Sequence, residues 1–401
     1  MRVRKAPNQV DMKSAYILDA YEALEQSLVE MLIKRLNSKT TAQLSADTVF
    51  QWQLETMQQL RMMNMDMVEK LVAETADYSK QELKDLITKQ GYDFNAEANR
   101  ELANLVGGPV SEWSNLDMIL NQYFDSQWLE LDNHVNQTLI STNYQHNPLA
   151  KAYQQVLSDT VARTLTGFQT SEQAFKSAIY DMVEKGITSG LVDKSGREWS
   201  LERYVRTVIK STTQRVYNDL RTERGIEEYG IVTALMSSHM AARDACSQIQ
   251  GRFVLMVPTN EAPEEYRHLP SVHDYGWKEP AGVNGINCGH RFYSTLPMES
   301  TNIPEPPSPE EAQANAKIVA KQRRMETSIR NAKKQLRASE ILDDASGQEH
   351  FKTLIRNRQA ALRQLIDDNS DLLHRSYGRE AIYSNPTPDF IEAQRQAMES
   401  R

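Results

Sequence analysis

The spacing of hydrophobic residues along this chain predicts a mainly helical protein. In residues 11–37, large apolar side chains recur every three or four positions, and residues 46–75 repeat the pattern. This is the period of an amphipathic α-helix with one buried face. The second stretch contains five methionines: Met57, Met62, Met63, Met65 and Met67. Their flexible side chains suit adaptable core packing or a deformable docking face for a partner, and the sequence leaves both interpretations open.

Local signals divide the next part of the chain into further helices. Gly107–Pro109 is a strong loop signal, after which helical patterns return over about 113–138 and 148–166. Thr170 and Gln173 have the spacing of a capping box, which predicts the start of another helix. Ser200 precedes a further long helical pattern, so we expect it to cap that helix.

A short part of the chain has the texture of a sheet instead. Three β-like runs lie at 231–236, 252–257 and 291–296, and glycine and proline are dense between them. Asp193–Gly196 reads as a turn between two short extended pieces. The predicted fold class is therefore mainly α with a small α+β domain.

A proline-rich linker at 303–309 predicts a domain boundary before two C-terminal helices. Ser308 and Pro309 suit the N-cap and first position of a helix with a near-heptad apolar seam. A second helical pattern over about 349–367 suggests an antiparallel hairpin. The predicted division is an N-terminal helical docking region over 1–110, an α+β domain over 111–302, a basic helical hairpin over 303–385 and a tail over 386–401.

Composition narrows the class of protein. The 401 residues carry a formal net charge of -8, so the chain is not basic overall. The N-terminus has basic residues but no apolar run after them, and no stretch approaches the length of a membrane helix. Two cysteines do not make a disulfide framework, which favours a reducing compartment.

The strongest chemical signal is a cysteine- and histidine-containing segment, residues 235–293. It contains both cysteines and four of the eight histidines of the chain. His239, Cys246, Cys288 and His290 would supply the donor set of a two-cysteine, two-histidine zinc site. Cys288 and His290 are two positions apart, so on a strand they would share a face. The segment therefore predicts a structural zinc ion as the cofactor.

Other interpretations of the same residues stay open. The ligand spacing is not that of a common zinc finger. Buried cysteines and histidines without metal, or a Cys246–Cys288 disulfide in an oxidising setting, fit the sequence too. A catalytic dyad of Cys246 with His239 or His273 is conceivable, but no recognisable oxyanion loop accompanies it. Neither a zinc-protease, a zinc-deaminase nor a nucleotide-binding motif is present.

A basic stripe follows the linker and contrasts with the acidic chain. It consists of Lys317, Lys321, Arg323, Arg324, Arg330, Lys333, Lys334 and Arg337. Two interpretations remain: a solvated helix face paired with acidic segments, or a contact with nucleic-acid backbone or an acidic partner. The residues from Lys321 to Arg337 are the nucleic-acid-binding candidates.

Several ordered motifs together resemble the minor capsid (minor head) proteins of tailed bacteriophages, relatives of the Mu-type head morphogenesis domain. They are GIT at 186–188, DKSGR at 193–197 with Trp199 and Tyr204, SSH at 237–239, Ala242-Arg243, Gln250-Gly251, GINCGH at 285–290 and KQRRME at 321–326. The similarity covers most of residues 130–385. Cys246 stands where the family commonly has histidine, Ala241 where it has glycine and Gly289 where it has arginine.

This resemblance implies a virion protein without enzymatic activity. Such proteins are present in few copies on the inner side of the capsid, near the portal vertex. Their expected partners are the portal protein, the major capsid protein and packaged double-stranded DNA, and they assist head assembly, DNA packaging or DNA delivery. The motif residues expected to have structural roles are Gly196, Arg197, Trp199, Arg243, Gly251 and Asn287. The alternative from another class is a metal-dependent hydrolase or nuclease that uses the Cys/His residues.

Overall fold

A computed structural model describes residues 8–37, 44–45, 48–60, 65–111, 113, 115–143, 145–167, 169–297, 305–383 and 393. Its helices are α1 Asn8–Asn37, α2 Val49–Leu60, α3 Asp66–Val106, α4 Leu116–Leu131, α5 Gln137–Leu139, α6 Pro148–Leu165, α7 Ser171–Lys185, α8 Leu201–Tyr229, α9 Asp244–Ser247, α10 Pro309–Ile341 and α11 Ala345–Asp367. Its strands are β1 Thr188–Val192, β2 Glu198–Ser200, β3 Thr233–Met236, β4 Phe253–Leu255 and β5 Phe292–Ser294. The predicted fold class, mainly α with a small α+β part, is confirmed.

The chain forms two compact units, each built from three separate stretches. The first takes Met1–Ala15, Gln81–Trp128 and Arg206–Lys321, and the second takes Tyr16–Lys80, Leu129–Val205 and Gln322–Arg401. The sequential domain boundaries stay a prediction. Residues 61–64, with Met62 and Met63, lie outside the described residues, as does the tail over 386–401 apart from residue 393.

The first unit contains a three-stranded antiparallel sheet in the order β4-β3-β5. The register pairs Ala234 with Val254 on one side and with Ser294 on the other. This sheet corresponds to the three β-like runs of the sequence. Its core consists of Ala234, Met236, Ala242, Cys246, Ile249, Val254, Met256, Val272, Val283, Cys288, Phe292 and Ala312. Both cysteines are thus part of an apolar core, not of a surface loop.

The second unit contains most of α1, helices α2, α6 and α7, and the β1–β2 hairpin. Helix α1 is buried on more than the one face that the periodicity predicted, since its polar residues Asp19, Glu22, Glu25, Gln26 and Glu30 are buried too. Its apolar face is buried through Ile17, Tyr21, Leu24, Leu28 and Leu32. Removal of this apolar surface from water favours folding by roughly 25 cal/mol for each Å² buried. The predicted capping box of α7 is also present, with the Thr170 side chain accepting from the Gln173 backbone N–H.

Helices α10 and α11 form the predicted antiparallel hairpin. The N-terminal cap of α10 has the predicted form, since the Glu311 N–H donates to Ser308 Oγ at 3.1 Å. Asp343, in the turn, has a positive φ of 52°. Further along, Arg358 of α11 donates to the Ser328 carbonyl of α10. The two residues are equally far from the turn, as expected for antiparallel helices. No helix of the described residues is both long enough and apolar enough to cross a membrane.

Candidate metal centre

The Cys/His residues are positioned by the ends of two strands and by α9. Strand β3 ends at Met236, and the N–H of Ser237 donates to the Arg291 carbonyl at 2.9 Å. This bond holds the chain after β3 beside the chain that enters β5. Cys246 lies on the four-residue helix α9, and Cys288 and His290 immediately precede β5. Residues more than forty positions apart therefore meet at one end of the sheet.

Tight turns over 276–287 bring Cys288 into place. A β-carbon on Gly285 would lie 2.0 Å from the Glu279 carbonyl oxygen, so only glycine fits there. Asn287 adopts a left-handed φ of 57°, a conformation that asparagine tolerates. Its N–H donates to Ser211 Oγ at 3.0 Å. The Asn-Gly-Ile-Asn turn at 284–287 therefore aims the thiol of Cys288 into the core.

Cys246, Cys288 and His290 form a compact cluster of soft ligands. The Sγ atoms of the two free cysteines lie 3.8 Å apart. Sγ of Cys288 lies 3.6 Å from Nδ1 of His290. The three ligand atoms are all within 4.8 Å of one another. Only 0%, 5% and 3% of the respective residue surfaces is exposed, so the cluster is closed to bulk solvent.

The pKa values of the two thiols are shifted in opposite directions. The Cys246 thiol donates to Cys288 and stabilises its thiolate, and together with His290 this lowers the pKa of Cys288 although burial opposes it. The same hydrogen bond, with burial, raises the pKa of Cys246. The pair therefore holds one proton between two sulfur atoms. A thiolate is a ready ligand for a soft cation.

Amide side chains fix the orientation of His290. Oε1 of Gln250 accepts from the His239 backbone N–H at 2.9 Å and lies 3.1 Å from Nε2 of His290. Since the amide oxygen faces a backbone donor, Nε2 of His290 is the donor in the second contact. Nδ1 of the same ring then faces Cys288. The His290 carbonyl accepts from Gln214 and Asn218 of α8 at 2.7 and 2.9 Å.

The other histidines of the segment have different positions. His239 lies beside the cluster, with its ring centre 4.4 Å from that of His290, and Nε2 lies 2.9 Å from the Gly289 carbonyl oxygen. Its ring nitrogens are not among the three atoms within 4.8 Å. Nε2 of His273 instead lies 3.3 Å from the Met256 carbonyl oxygen, and His268 is exposed. The structure thus brings three of the four predicted ligands together and places the fourth next to them.

Arg243 locks the turn that precedes Cys288 through contacts to two backbone carbonyls. Its two terminal nitrogens donate to the carbonyl oxygens of Pro280 and Ile286, at 3.2 and 2.6 Å. The planar guanidinium holds two points of the turn at once. Gly251, with a φ of 68°, donates to the Met236 carbonyl at 3.0 Å and so returns the chain to the sheet.

The second group of motif residues forms the turn between β1 and β2. The Asp193 carboxylate accepts from the N–H groups of Ser195 and Arg197 and from the Trp199 indole. Gly196 has a φ of 80°, which this turn requires. The hydrogen bond from the Ser195 hydroxyl, followed by the other donors, lowers the pKa of Asp193 to about 2. These residues shape a hairpin and lie in a different unit from the Cys/His cluster.

The basic stripe of α10 divides into buried and exposed members. Arg330 forms an ion pair with Glu202, and Lys334 contacts both Glu25 and Glu202 at 3.3 and 3.7 Å. Arg337 pairs with Glu30 and Arg323 with Glu326, while Lys333 donates to the Glu380 carbonyl. Lys317, Lys321 and Arg324 are exposed. A nucleic-acid role for the stripe stays a prediction, and the structure leaves these three side chains best placed for it.

Residues that the sequence did not single out complete the site. Gln250 was apparent only as part of the Gln250-Gly251 motif, and Gln214 and Asn218 fall within an ordinary helical pattern. Their roles follow from contacts across the fold, which no local spacing reports. A β-carbon on Gly289 would lie 3.8 Å from the His239 ring, an ordinary van der Waals contact, so a larger residue has room there.

Comparison with known proteins places the chain among phage proteins. The family model described as "Phage minor capsid protein 2" matches residues 6–367. A structural protein of Lactococcus phage LL-H is 33% identical over 370 residues, which cover 91% of this chain and 98% of that protein. A structural protein of Lactococcus phage mv4 is 33% identical over 113 residues, or 28% of this chain and 91% of that protein. No solved structure matches. By family and by relatives, this chain is a structural protein of a phage virion and belongs to the phage minor capsid protein 2 family.

Proposed function

We propose that this minor capsid protein is located inside the capsid at the portal vertex. There it assists head assembly and the packaging or delivery of DNA. The observation that carries the proposal is the match of a minor capsid family over residues 6–367. A minor component fits a unique vertex better than a repeated shell position, because a shell lattice binds one copy at each of many equivalent sites. Its partners would be the portal protein, the major capsid protein and the packaged DNA.

This location is tested on purified virions of the phage that encodes the chain. Copy number is measured by quantitative mass spectrometry against the portal and major capsid proteins, and position by gold labelling of an affinity tag in opened heads. We expect a few copies for each portal ring and label at one vertex. Label spread over the whole shell, or a copy number close to that of the major capsid protein, would contradict the proposal.

In this proposal, the Cys/His cluster binds a structural zinc ion. Two thiolates bound at about 2.3 Å to a tetrahedral zinc ion lie about 3.8 Å apart, and a thiolate and an imidazole nitrogen lie about 3.6 Å apart. The observed Sγ–Sγ and Sγ–Nδ1 distances are 3.8 and 3.6 Å. Two of the three separations among Cys246, Cys288 and His290 therefore match those of ligands on one ion, and the third is within 4.8 Å.

The orientation of His290 supports this assignment. Metal-bound histidines commonly donate their second ring N–H to an oxygen acceptor, which fixes the tautomer and aims the first nitrogen. Gln250 provides such an acceptor, at 3.1 Å from Nε2. His239 would supply the fourth ligand, since its ring lies next to that of His290. A Cys₂His₂ set of this kind is typical of structural zinc.

Burial favours a structural role for the ion over the alternative of a hydrolase or nuclease. A catalytic zinc ion keeps a ligand position open to water and substrate, whereas structural sites are closed by protein. The three clustered ligands are buried in the core of the small sheet. The zinc ion would tie α9 to the chain entering β5, and so stabilise a domain whose sheet has only three short strands.

Metal content of the purified full chain tests the zinc site. We expect about one zinc ion per chain, and loss of zinc in the Cys288→Ala and Cys246→Ala variants. His273→Ala is the matched control, because His273 is in the same segment but outside the cluster. Absence of zinc after expression in zinc-supplemented medium would contradict the proposal. A mass two hydrogens lower in the wild type would identify a disulfide instead, and zinc-dependent DNA cleavage lost in Cys288→Ala would support the nuclease.

A further inference from the structure

Helix α11 presents a second basic stripe that differs from that of α10. Between Glu349 and Asp367 this helix contains no acidic residue. Lys352, Arg356 and Arg363 are all exposed. At 100° per residue, positions 352, 356 and 363 fall within about 40° of one another around the helix. The three cations therefore form one straight line along α11.

The charges of this line are free to meet a partner. In the described part of the chain, none of these three residues forms an ion pair, and Arg356 makes a single polar contact, to the Thr353 hydroxyl. Glu349 and Asp367 lie three and four positions from Lys352 and Arg363 on the same helix, but they are not among the ion pairs of the described residues. A further carboxylate close to α11 is that of Glu380, which Gln359 contacts at 3.1 Å. That carboxylate is buried and pairs with Arg375 at 2.8 and 2.9 Å. Its charge is thus compensated from within.

The fourth basic residue of this part of α11 has a structural task. Arg358 donates to the Ser328 carbonyl and so joins the two helices of the hairpin. On the packed side, Phe351 and Leu362 are buried. The exposed line therefore lies on a helix whose other face is packed. The helix fixes the spacing of the three cations, so binding does not have to order a flexible loop.

We propose that Lys352, Arg356 and Arg363 form a contact surface for the phosphate backbone of double-stranded DNA. The surface lacks the features of a stable protein interface, since no exposed large hydrophobic side chain in the described residues lies on α11. Interfaces between proteins normally centre on apolar or aromatic anchors. A purely cationic line without aromatic residues suits sequence-independent contact with phosphates.

The dimensions fit this occupant. The line spans eleven helical residues, or about 16 Å, along which duplex DNA carries about ten phosphate charges. Three cations on a chain with a net negative charge make only a small number of phosphate contacts. Such binding is weak enough for the DNA to move past the protein. This inference rests on the proposed internal location at the portal vertex for its biological setting, because packaged DNA is there.

The experiment measures binding of the full chain to a mixed-sequence duplex of about 30 base pairs by fluorescence anisotropy, at 50 to 200 mM salt. The test variant is Lys352→Gln/Arg356→Gln/Arg363→Gln. Removal of three phosphate contacts should make the slope of log K against log salt shallower by about 2.7. Over that salt range the wild type should lose about 40-fold more affinity than the variant.

A matched variant removes the same charge from α3 and α7: Lys84→Gln/Arg100→Gln/Lys185→Gln. These three side chains are exposed as well, and we expect wild-type binding and slope. Equal losses in both variants, a loss in this second variant alone, or no wild-type binding at 50 mM salt would overturn the inference. Thermal unfolding of both variants checks that each is folded.

Two further outcomes separate this inference from the proposed location. If the α11 variant keeps its DNA affinity but is absent from assembled heads, the line contacts an acidic protein partner and the inference is overturned. If it loses DNA affinity yet still labels the portal vertex, the DNA surface is supported and the location is unaffected. A wild type that binds DNA but labels the whole shell would contradict the location alone.

Discussion

The amide oxygen of Gln250 lies 3.1 Å from Nε2 of His290 while it accepts the His239 N–H at 2.9 Å. One buried side chain thus contacts both the ring of His290 and the backbone of His239. Gln250 is 1% exposed, so water cannot replace its contacts. The orientation of the ring, and with it the direction of Nδ1 towards Cys288, depends on this amide.

Replacement of Gln250 should therefore weaken metal binding without removal of any ligand. We expect Gln250→Leu to reduce zinc affinity by about 10- to 100-fold, the usual effect of losing an outer-shell partner. Competition against a chromophoric zinc chelator measures the change. Gln248→Leu is the control, since residue 248 is exposed two positions away. Equal affinities for Gln250→Leu and wild type would show that the amide does not orient His290.

The ion pair of Arg330 with Glu202 should be essential to the second unit. The side chains are 7% and 16% exposed, and Arg330 also donates to the Arg379 carbonyl. Removal of one partner from a buried pair costs about 3–5 kcal/mol when the other charge is left uncompensated. Glu202 would keep its longer contact to Lys334, at 3.7 Å, so we expect Arg330→Met to lower the free energy of unfolding by up to this amount in urea denaturation.

The exposed Arg324 on the same helix provides the control. We expect Arg324→Met to change the free energy of unfolding by less than about 0.5 kcal/mol. The double variant Arg330→Met/Glu202→Leu should recover part of the loss, since it removes the stranded carboxylate along with its partner. A single Arg330→Met variant as stable as Arg324→Met would show that the pair is not buried in solution.

The contrast between these two arginines explains where prediction from sequence fails. Helix α10 and its cap were predicted, because apolar periodicity and the Ser308 cap are local signals. Which of its charges face inward was not, because the partners of Arg330 and Lys334 lie 128 and 309 residues away in the sequence. A row of basic residues has the same appearance whether it faces solvent or acidic side chains of the core.

The metal centre shows the same limit. Two cysteines and a histidine stand out by their rarity, so the sequence alone is enough to select Cys246, Cys288 and His290 as candidate ligands. The amides that orient them could not be selected in this way, because glutamine and asparagine occur throughout the chain without special spacing. The sequence also could not show that each unit is built from stretches that are far apart in the chain. Periodicity defines a helix and its buried face, but it does not identify the helix that covers this face.

Arg224 should be irreplaceable by lysine in the first unit. Its side chain is fully buried, and its nitrogens contact Asn99 Oδ1 at 2.8 Å, the Ser111 carbonyl at 2.7 Å and Glu228 at 2.9 Å. An ammonium group cannot reproduce this planar fork. We expect Arg224→Lys to cost about 2–4 kcal/mol, because at least one buried acceptor loses its charged donor.

Hydrogen exchange of residues 98–111 provides the measurement for Arg224→Lys, since Asn99 and Ser111 would lose their common anchor. Arg100→Lys serves as the control, because Arg100 is exposed on the same helix and donates only to the Ala96 carbonyl of its own turn. Protection that is unchanged in Arg224→Lys would show that the buried fork does not hold this segment.

Because of the Asp193 turn, part of the stability of the folded chain should change with pH in the acidic range. Hydrogen bonds from Ser195, and then from Arg197 and Trp199, lower the pKa of Asp193 from 3.8 to about 2. A carboxyl whose pKa is lower in the folded state stabilises that state above its unfolded pKa, and the stabilisation is lost as pH falls through the folded pKa. The contribution should therefore be complete above about pH 4 and disappear towards pH 2.

The difference in melting temperature between wild type and Asp193→Asn isolates this group from the other carboxyls of the chain. We expect wild type to be the more stable at pH 5, and the difference to shrink between pH 4 and pH 2. Ser195→Ala removes the hydroxyl that donates at 2.5 Å and so raises the folded pKa of Asp193, which should make its own loss smaller and complete at a higher pH than that of wild type. A difference between wild type and Asp193→Asn that stays constant from pH 5 to pH 2 would show that the carboxylate of Asp193 does not hold the turn. Because DKSGR at 193–197 is one of the segments that resemble minor head proteins, this measurement also assigns that segment a physical role: its aspartate closes the β1–β2 hairpin through charge-assisted hydrogen bonds.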